Sequence, residues 1–177
     1  MLSHTNNSFA DAITDGLVEW NLETFVHVPS SHVARIIRGL EERRIPSVLA
    51  NREDEAMGIA GGLAIGGSKT ALVMQDNGFG NALTALTTFL KAYHVGLPIV
   101  ANTRGGPGEY NSMIHTFSES VPALLSAAGV RVERLGPSDP PVVWRETVRG
   151  CAELARTTHR PIVVLADTMH PASSLDQ

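Results

Sequence analysis

The chain has 177 residues, 43% of them hydrophobic, which suffices for a single domain with a full core. A formal net charge of −4 supplies no basic field for nucleic acid or for an anionic membrane surface. The lone cysteine, Cys151, excludes an intrachain disulfide and fits a reducing compartment, the cytoplasm. The N-terminal MLSHTNNSFADA lacks the positive and apolar regions of a secretory signal, and the longest uncharged apolar stretch, residues 56–67, is too short and glycine-rich to span a bilayer.

Phe9, Ile13, Leu17 and Trp20 recur at helical spacing, so residues 8–21 are expected to form an amphipathic helix. TFVHV (24–28) reads as a strand closed by Pro29. A helix follows over residues 31–43, with Val33, Ile36, Ile37 and Leu40 on one face. SVLA (47–50) is expected as a short buried strand, and residues 55–65 as a helix of small residues. ALVMQ (71–75) is a third strand, after which Gly78 and Gly80 turn the chain into a helix running to about Tyr93. PIVAN (98–102) is a fourth strand, followed by a long loop over residues 103–116. A helix near 119–128 leads through Gly129 into VRVERL (130–135). The GPSDPP linker (136–141) precedes a helix with Val143, Val148 and Leu154 inward, and PIVVLA (161–166) reads as a buried central strand. Six strands alternating with helices, several nearly continuous in apolar residues, imply a three-layer α/β/α fold around a six-stranded, doubly wound parallel sheet. The expected shape is Rossmann-like or flavodoxin-like. Ligands of such sheets sit beyond the carboxyl ends of the strands, which directs attention to the segments after Val28, Ala50, Gln75 and Asn102.

Those segments offer limited chemistry when taken singly. QDNGFGN (75–81) has the glycine pair of a phosphate loop, but the third glycine position is Leu83, no ribose-binding acid follows, and there is no Walker lysine. Arg104, at the base of the long loop, can pair a carboxylate, sulfonate or phosphonate, or serve as a surface salt bridge. His115 in the same loop is a candidate proton carrier, although a partly buried loop histidine is the plainer reading. The seven histidines show no metal-ligand spacing, and His27 and His32 lie on different elements, so no protein-only metal site is expected. Ser30 and Ser31 follow a strand and open a helix, yet VPSSHV lacks the small flanking residues of a nucleophile elbow. Cys151 lies mid-helix among apolar neighbours and reads as core.

Together, REDEAMGIAGGLAIGG, a strand, and MQDNGFGNALTAL resemble the pyrimidine-binding (Pyr) domain of thiamine-diphosphate enzymes. Within that family the chain is similar to the small α subunits of sulfopyruvate decarboxylase and to the matching half of phosphonopyruvate decarboxylase, over roughly residues 10–165. The family's glutamate precedes the first glycine of its helix by the spacing that separates Glu53 from Gly58, which singles out Glu53 among Glu53, Asp54 and Glu55. The resemblance implies that Glu53 is catalytic. Its carboxyl group would hydrogen-bond to N1′ of the cofactor's aminopyrimidine and favour the imino tautomer that activates the thiazolium. Asp54 and Glu55 keep the ordinary role of first-turn acids facing the helix dipole. The family match further implies that Pro29, Asn77 and Gly78 border the cofactor, and that Ser30, Ser31 and Arg104 lie on the substrate side; His115, in a stretch that departs from the family's pattern, is a further substrate-side candidate. Arg104-Gly105 aligns with a Trp-Arg-Gly element whose tryptophan position is Thr103 here. Gly58, Gly61, Gly62 and Gly66 would let cofactor or a partner helix approach the helix backbone.

The family binds the diphosphate and Mg²⁺ through a second domain bearing Gly-Asp-Gly, a tripeptide absent from this sequence. Residues 1–177 are therefore expected to be a single Pyr-type domain, with its core at about 8–168. A separate β subunit would carry the diphosphate-binding domain and hold most of the thiamine diphosphate and Mg²⁺, in a hetero-oligomer. The implied activity is decarboxylation of a pyruvate bearing a sulfonate or phosphonate. Another thiamine-diphosphate carboligase or decarboxylase subunit, or a non-catalytic flavodoxin-like binding or regulatory module, is the alternative.

Overall fold

The computed structural model describes residues 9–106 and 109–168. Six strands, β1 (Thr24–His27), β2 (Ser47–Leu49), β3 (Thr70–Gln75), β4 (Pro98–Asn102), β5 (Arg131–Leu135) and β6 (Ile162–Ala166), form one sheet. They pair in the order β2-β1-β3-β4-β6-β5, and every pairing is parallel. Helices α1 (Phe9–Glu19), α2 (Ala34–Glu42) and α6 (Pro141–Thr158) cover one face. Helices α3 (Glu53–Ile65), α4 (Phe79–Ala85) and α5 (Ser112–Ala127) cover the other.

The strand order begins as in flavodoxin, 2-1-3-4, but its last two strands exchange places, and it departs from the Rossmann order in its first three strands as well. Composition accounts for the exchange. IVVLA of β6 is apolar throughout and buried at every residue, so it takes the interior position. RVERL of β5 carries three charges and sits at the edge. The opposite edge corrects an expectation: β2 is not a buried strand, since Leu49 is 59% exposed and no further strand among the described residues lies beyond it. Its apolar letters resembled those of an interior strand.

Other boundaries shift for local reasons. The long loop ends at Asn111, not 116, because the Asn111 side chain accepts from the Met113 N–H and caps α5. His115 consequently lies on a helix and not in a loop. The helix expected over residues 78–93 is three pieces: a 3₁₀ turn (Asp76–Gly78), α4, and a π-helical segment (Leu86–Lys91). Thr87 and Thr88 donate their hydroxyls to the carbonyls of Leu83 and Thr84 at 2.8 and 2.7 Å, competing for the oxygens of the regular ladder. On α6, Val148 is buried as expected, but Val143 is 40% exposed. Trp144 takes the inward position and stacks on Phe9 with centroids 4.2 Å apart.

The glycines of α3 divide into two kinds. A Cβ on Gly61 would lie 2.5 Å from Phe89 Cε1, so this glycine serves the chain's own packing against the π-helical segment. Gly58 and Gly62 face open space. Gly61→Ala is therefore expected to destabilise the isolated chain by about 1 kcal/mol, overpacking outweighing improved helix propensity. Gly62→Ala should stabilise it by about 1 kcal/mol. Urea midpoints of the two variants check this opposition of sign.

Candidate cofactor and substrate site

The chain passes from β1 to β2 in one direction and then crosses back over β1 to β3, so the topological switch point lies between β1 and β3. Three segments gather there: residues 29–31 after β1, the start of α3 after β2, and the 3₁₀ turn after β3. A crevice outside the carboxyl ends of strands at such a point is the usual ligand position of open α/β sheets.

The three acids at the start of α3 have different partners. Asp54 Oδ1 accepts from its neighbour's backbone, Glu55 N–H, at 3.0 Å and pairs with Arg52. Glu55 Oε2 accepts from the Asn51 N–H at 2.9 Å. Both are consumed in starting the helix, where the dipole favours them. Glu53 is turned elsewhere: its Oε2 accepts from Asn81 Nδ2 at 2.9 Å, and its side chain lies against Gly78. A Cβ at residue 78 would sit 2.4 Å from Glu53 Cγ and 2.8 Å from Oε1. Gly78 has φ −61°, which any residue adopts, so the glycine is required by proximity and not by backbone conformation. Glu53 is half-buried in this chain.

A second cluster adjoins the first across the Asn77–Gly78 peptide. Ser30 Oγ donates to Gln75 Oε1 at 2.8 Å, Arg104 Nη1 donates to the same oxygen at 2.9 Å, and Gln75 Nε2 donates to Asn77 Oδ1. Arg104 Nε also donates to Glu109 Oε2 at 2.5 Å, with side-chain exposures of 7% for the arginine and 0% for the glutamate. Arg104 is thus not a free surface cation: two of its nitrogens are committed within the chain. The guanidinium, helped by the Asn111 N–H, holds the Glu109 carboxyl down to about 2. Burial pushes Asp76 up, against the opposing bonds it accepts from Arg104 N–H at 2.9 Å and Ser118 Oγ at 3.0 Å. His115 Nε2 lies 3.2 Å from the Glu109 carbonyl. Burial and the neighbouring Arg104 lower His32.

The geometry therefore joins Glu53 with Gly78, and Ser30 with Asn77 and Arg104. His115 is tied to the second group through Glu109, while Pro29 and Ser31 are exposed at its rim. Three members were not anticipated from sequence: Asn81, Gln75 and Glu109. Asn81 had a readable signal, since it stands one turn beyond Gly78 and faces the start of the next-door helix. Glu109 had none, because loop conformation decides which carboxylate meets Arg104. Cys151 is core, and burial pushes its thiol up to about 11.

The Arg104–Glu109 pair carries a pH prediction. The carboxyl is depressed in the folded state from 4.5 to about 2, so its stabilisation is complete above 4.5 and is lost as pH falls toward 2. Asp76, raised by burial, has the opposite sign, its protonation favouring the fold as pH falls. Urea midpoints across this acid range should decline more steeply for the native chain than for Glu109→Gln.

A doubly wound parallel sheet with one glutamate seated against a glycine turn at its switch point defines a cofactor-binding α/β domain. The chain belongs to the thiamine pyrophosphate enzyme family, whose N-terminal TPP binding domain matches residues 7–124. It is similar to the sulfopyruvate decarboxylase subunit alpha of Methanococcus maripaludis, with 24% identity over 162 residues that cover 91% of this chain and 95% of that one. The subunit alpha from Methanothermobacter thermautotrophicus is 25% identical over 166 residues, covering 91% and 96%. Among solved structures, the fold is shared with the 2-oxoglutarate:ferredoxin oxidoreductase of Magnetococcus marinus, at a TM-score of 0.69 and 16% identity. That match covers 91% of this chain and 29% of the other, so the chain spans under a third of that structure's length.

The residues present fit the aminopyrimidine end of thiamine diphosphate. Glu53 supplies a carboxyl oriented from one side by Asn81, and Gly78, lacking a side chain, leaves the room in which the Glu53 side chain lies.

Proposed function

We propose that the chain is the α subunit of a thiamine-diphosphate-dependent decarboxylase acting on a 2-oxoacid that bears a second anionic group, 3-sulfopyruvate or a phosphonate counterpart. The observation that carries this reading is Glu53, held by Asn81 against Gly78 at the switch point, in a chain similar over nearly its whole length to subunits named for that reaction. When bound, thiamine diphosphate supplies the carbon nucleophile and the electron sink for loss of CO₂. Glu53 hydrogen-bonds at N1′ and holds the proton there, and Asn81 fixes the direction of its carboxyl. Pro29 and Gly78 border the ring, and Asn77 stands where ring and substrate meet.

Ser30, Ser31, Arg104 and His115 form the substrate side. Because Glu109 balances the charge of Arg104, recognition of the substrate's anionic groups there relies on directed N–H donors more than on net charge. Mg²⁺ and the diphosphate belong to a β subunit carrying Gly-Asp-Gly, and the two chains work as a cytoplasmic hetero-oligomer. Among the described residues no helix is long and apolar enough to cross a membrane.

The test is reconstitution with a companion chain bearing Gly-Asp-Gly, followed by assay of a panel of 2-oxoacids. Release of CO₂ and an aldehyde from 3-sulfopyruvate by the mixture, with the separate chains inactive, is expected. Robust turnover by this chain alone, or no turnover of any panel member by the mixture, would contradict the reading.

A further inference from the structure

Gln75 ends β3, and its amide meets side chains from three different segments: Ser30 after β1, Asn77 in the 3₁₀ turn, and Arg104 after β4. The orientation of that amide follows from donor chemistry. A guanidinium has only donors, so the Gln75 atom 2.9 Å from Arg104 Nη1 must be the oxygen. Arg104 has little freedom to turn away, since Glu109 holds its Nε and the side chain is buried. Ser30, facing the same oxygen at 2.8 Å, must therefore donate its single proton. Gln75 Nε2 then faces Asn77, and the Asn77 atom receiving it must be Oδ1. This leaves Asn77 with its Nδ2 protons for an outside acceptor, and Ser30 with only the acceptor capacity that the His32 N–H, at 3.4 Å, does not take.

We infer that Gln75 is a positioning residue that sets the hydrogen-bonding sense of the substrate side, turning Asn77 outward as a donor and Ser30 as an acceptor. It touches no reacting atom; it acts through Asn77 and Ser30. The donor suits a carboxylate or ketone oxygen of a 2-oxoacid, and in naming that ligand the inference rests on the proposed function. The amide orientation itself does not.

Gln75→Glu is the discriminating variant. It preserves an oxygen for Ser30 and Arg104 but places a second oxygen against Asn77, which must then donate inward and turn its own Oδ1 toward the substrate. In the reconstituted complex KM for the 2-oxoacid should rise by about tenfold or more, with kcat changed far less. In an Asn77→Ala background the same substitution should alter KM by no more than about twofold, because the group it acts through is gone. Equal effects in both backgrounds would overturn the inference, including any general effect of the added charge.

A measurement on the isolated chain is independent of activity. By NMR, the Gln75 side-chain amide protons should be protected from exchange in the native chain and lose that protection in Asn77→Ala, but not in Asn81→Ala. Protection unchanged by Asn77→Ala would overturn the inference, and this decides the matter should Gln75→Glu fail to fold. An inactive native complex would remove the functional reading while leaving the NMR outcome to stand or fall by itself.

Discussion

Glu53→Gln should leave the chain folded and able to assemble, yet lower decarboxylation turnover by about 10²–10⁴-fold, the usual range for loss of a positioned acid–base group. The substitution is isosteric, and the amide oxygen can still accept from Asn81, so the start of α3 keeps its structure. Asp54 and Glu55, which are tied to Arg52 and to the backbone at Asn51 and Glu55, continue to satisfy the first turn. On the proposed role of Glu53, what would be lost is a carboxyl proton at N1′. The effect should therefore fall on kcat, with thermal unfolding of the variant close to that of the native chain. Turnover within about threefold of native would remove Glu53 from the mechanism.

Gly78→Ala should be nearly as damaging, by about 10²-fold, through a wholly steric route. The new methyl would occupy space 2.4 Å from Glu53 Cγ, so the carboxylate must leave its place beside Asn81. Being half-buried, Glu53 can swing outward, so the fold loses little. The backbone at φ −61° accepts alanine without strain, and alanine favours the helical turn. Activity and stability should thus separate: turnover falls while the unfolding midpoint stays nearly constant. A Gly78→Ala complex of native activity would show that Glu53 does not need its observed position.

Much of the architecture was legible because apolar periodicity reports burial. Phe9, Ile13 and Leu17 on α1, Trp20 in the turn just beyond it, and Val33, Ile36, Ile37 and Leu40 at α2 all face the core as their spacing implied. The uniformly apolar β6 was readable as an interior strand. What periodicity does not encode is neighbour identity. Nothing in SVL says whether another strand will cover it, and β2 proved to be an edge. Nor could the position of Trp144 be derived from Val143, since both fit an apolar stripe and only the stacking on Phe9 selects one.

The site was legible to a different depth. Glu53 and Gly78 were singled out by the resemblance to the Pyr domain, whose motif, a glutamate five residues before Gly58 and a glycine turn after the next strand, is local in sequence. Arg104 was visible as a residue, but its engagement with Glu109 and Gln75 depends on how the loop after β4 folds back. Gln75 itself looked like the polar end of a strand. Its importance arises only when loops after three strands converge on one amide.

The proposed function requires Glu53 to present one part of a thiamine diphosphate site that another chain completes. Calorimetric titration of thiamine diphosphate with Mg²⁺ tests this directly, using the chain alone, its Gly-Asp-Gly companion alone, and the two mixed. The prediction is saturable, stoichiometric binding by the mixture, weak or absent binding by this chain alone, and loosened binding when Gly78→Ala replaces the native chain in the mixture. Tight binding by this chain alone, or a mixture that binds no better than the companion by itself, would contradict it.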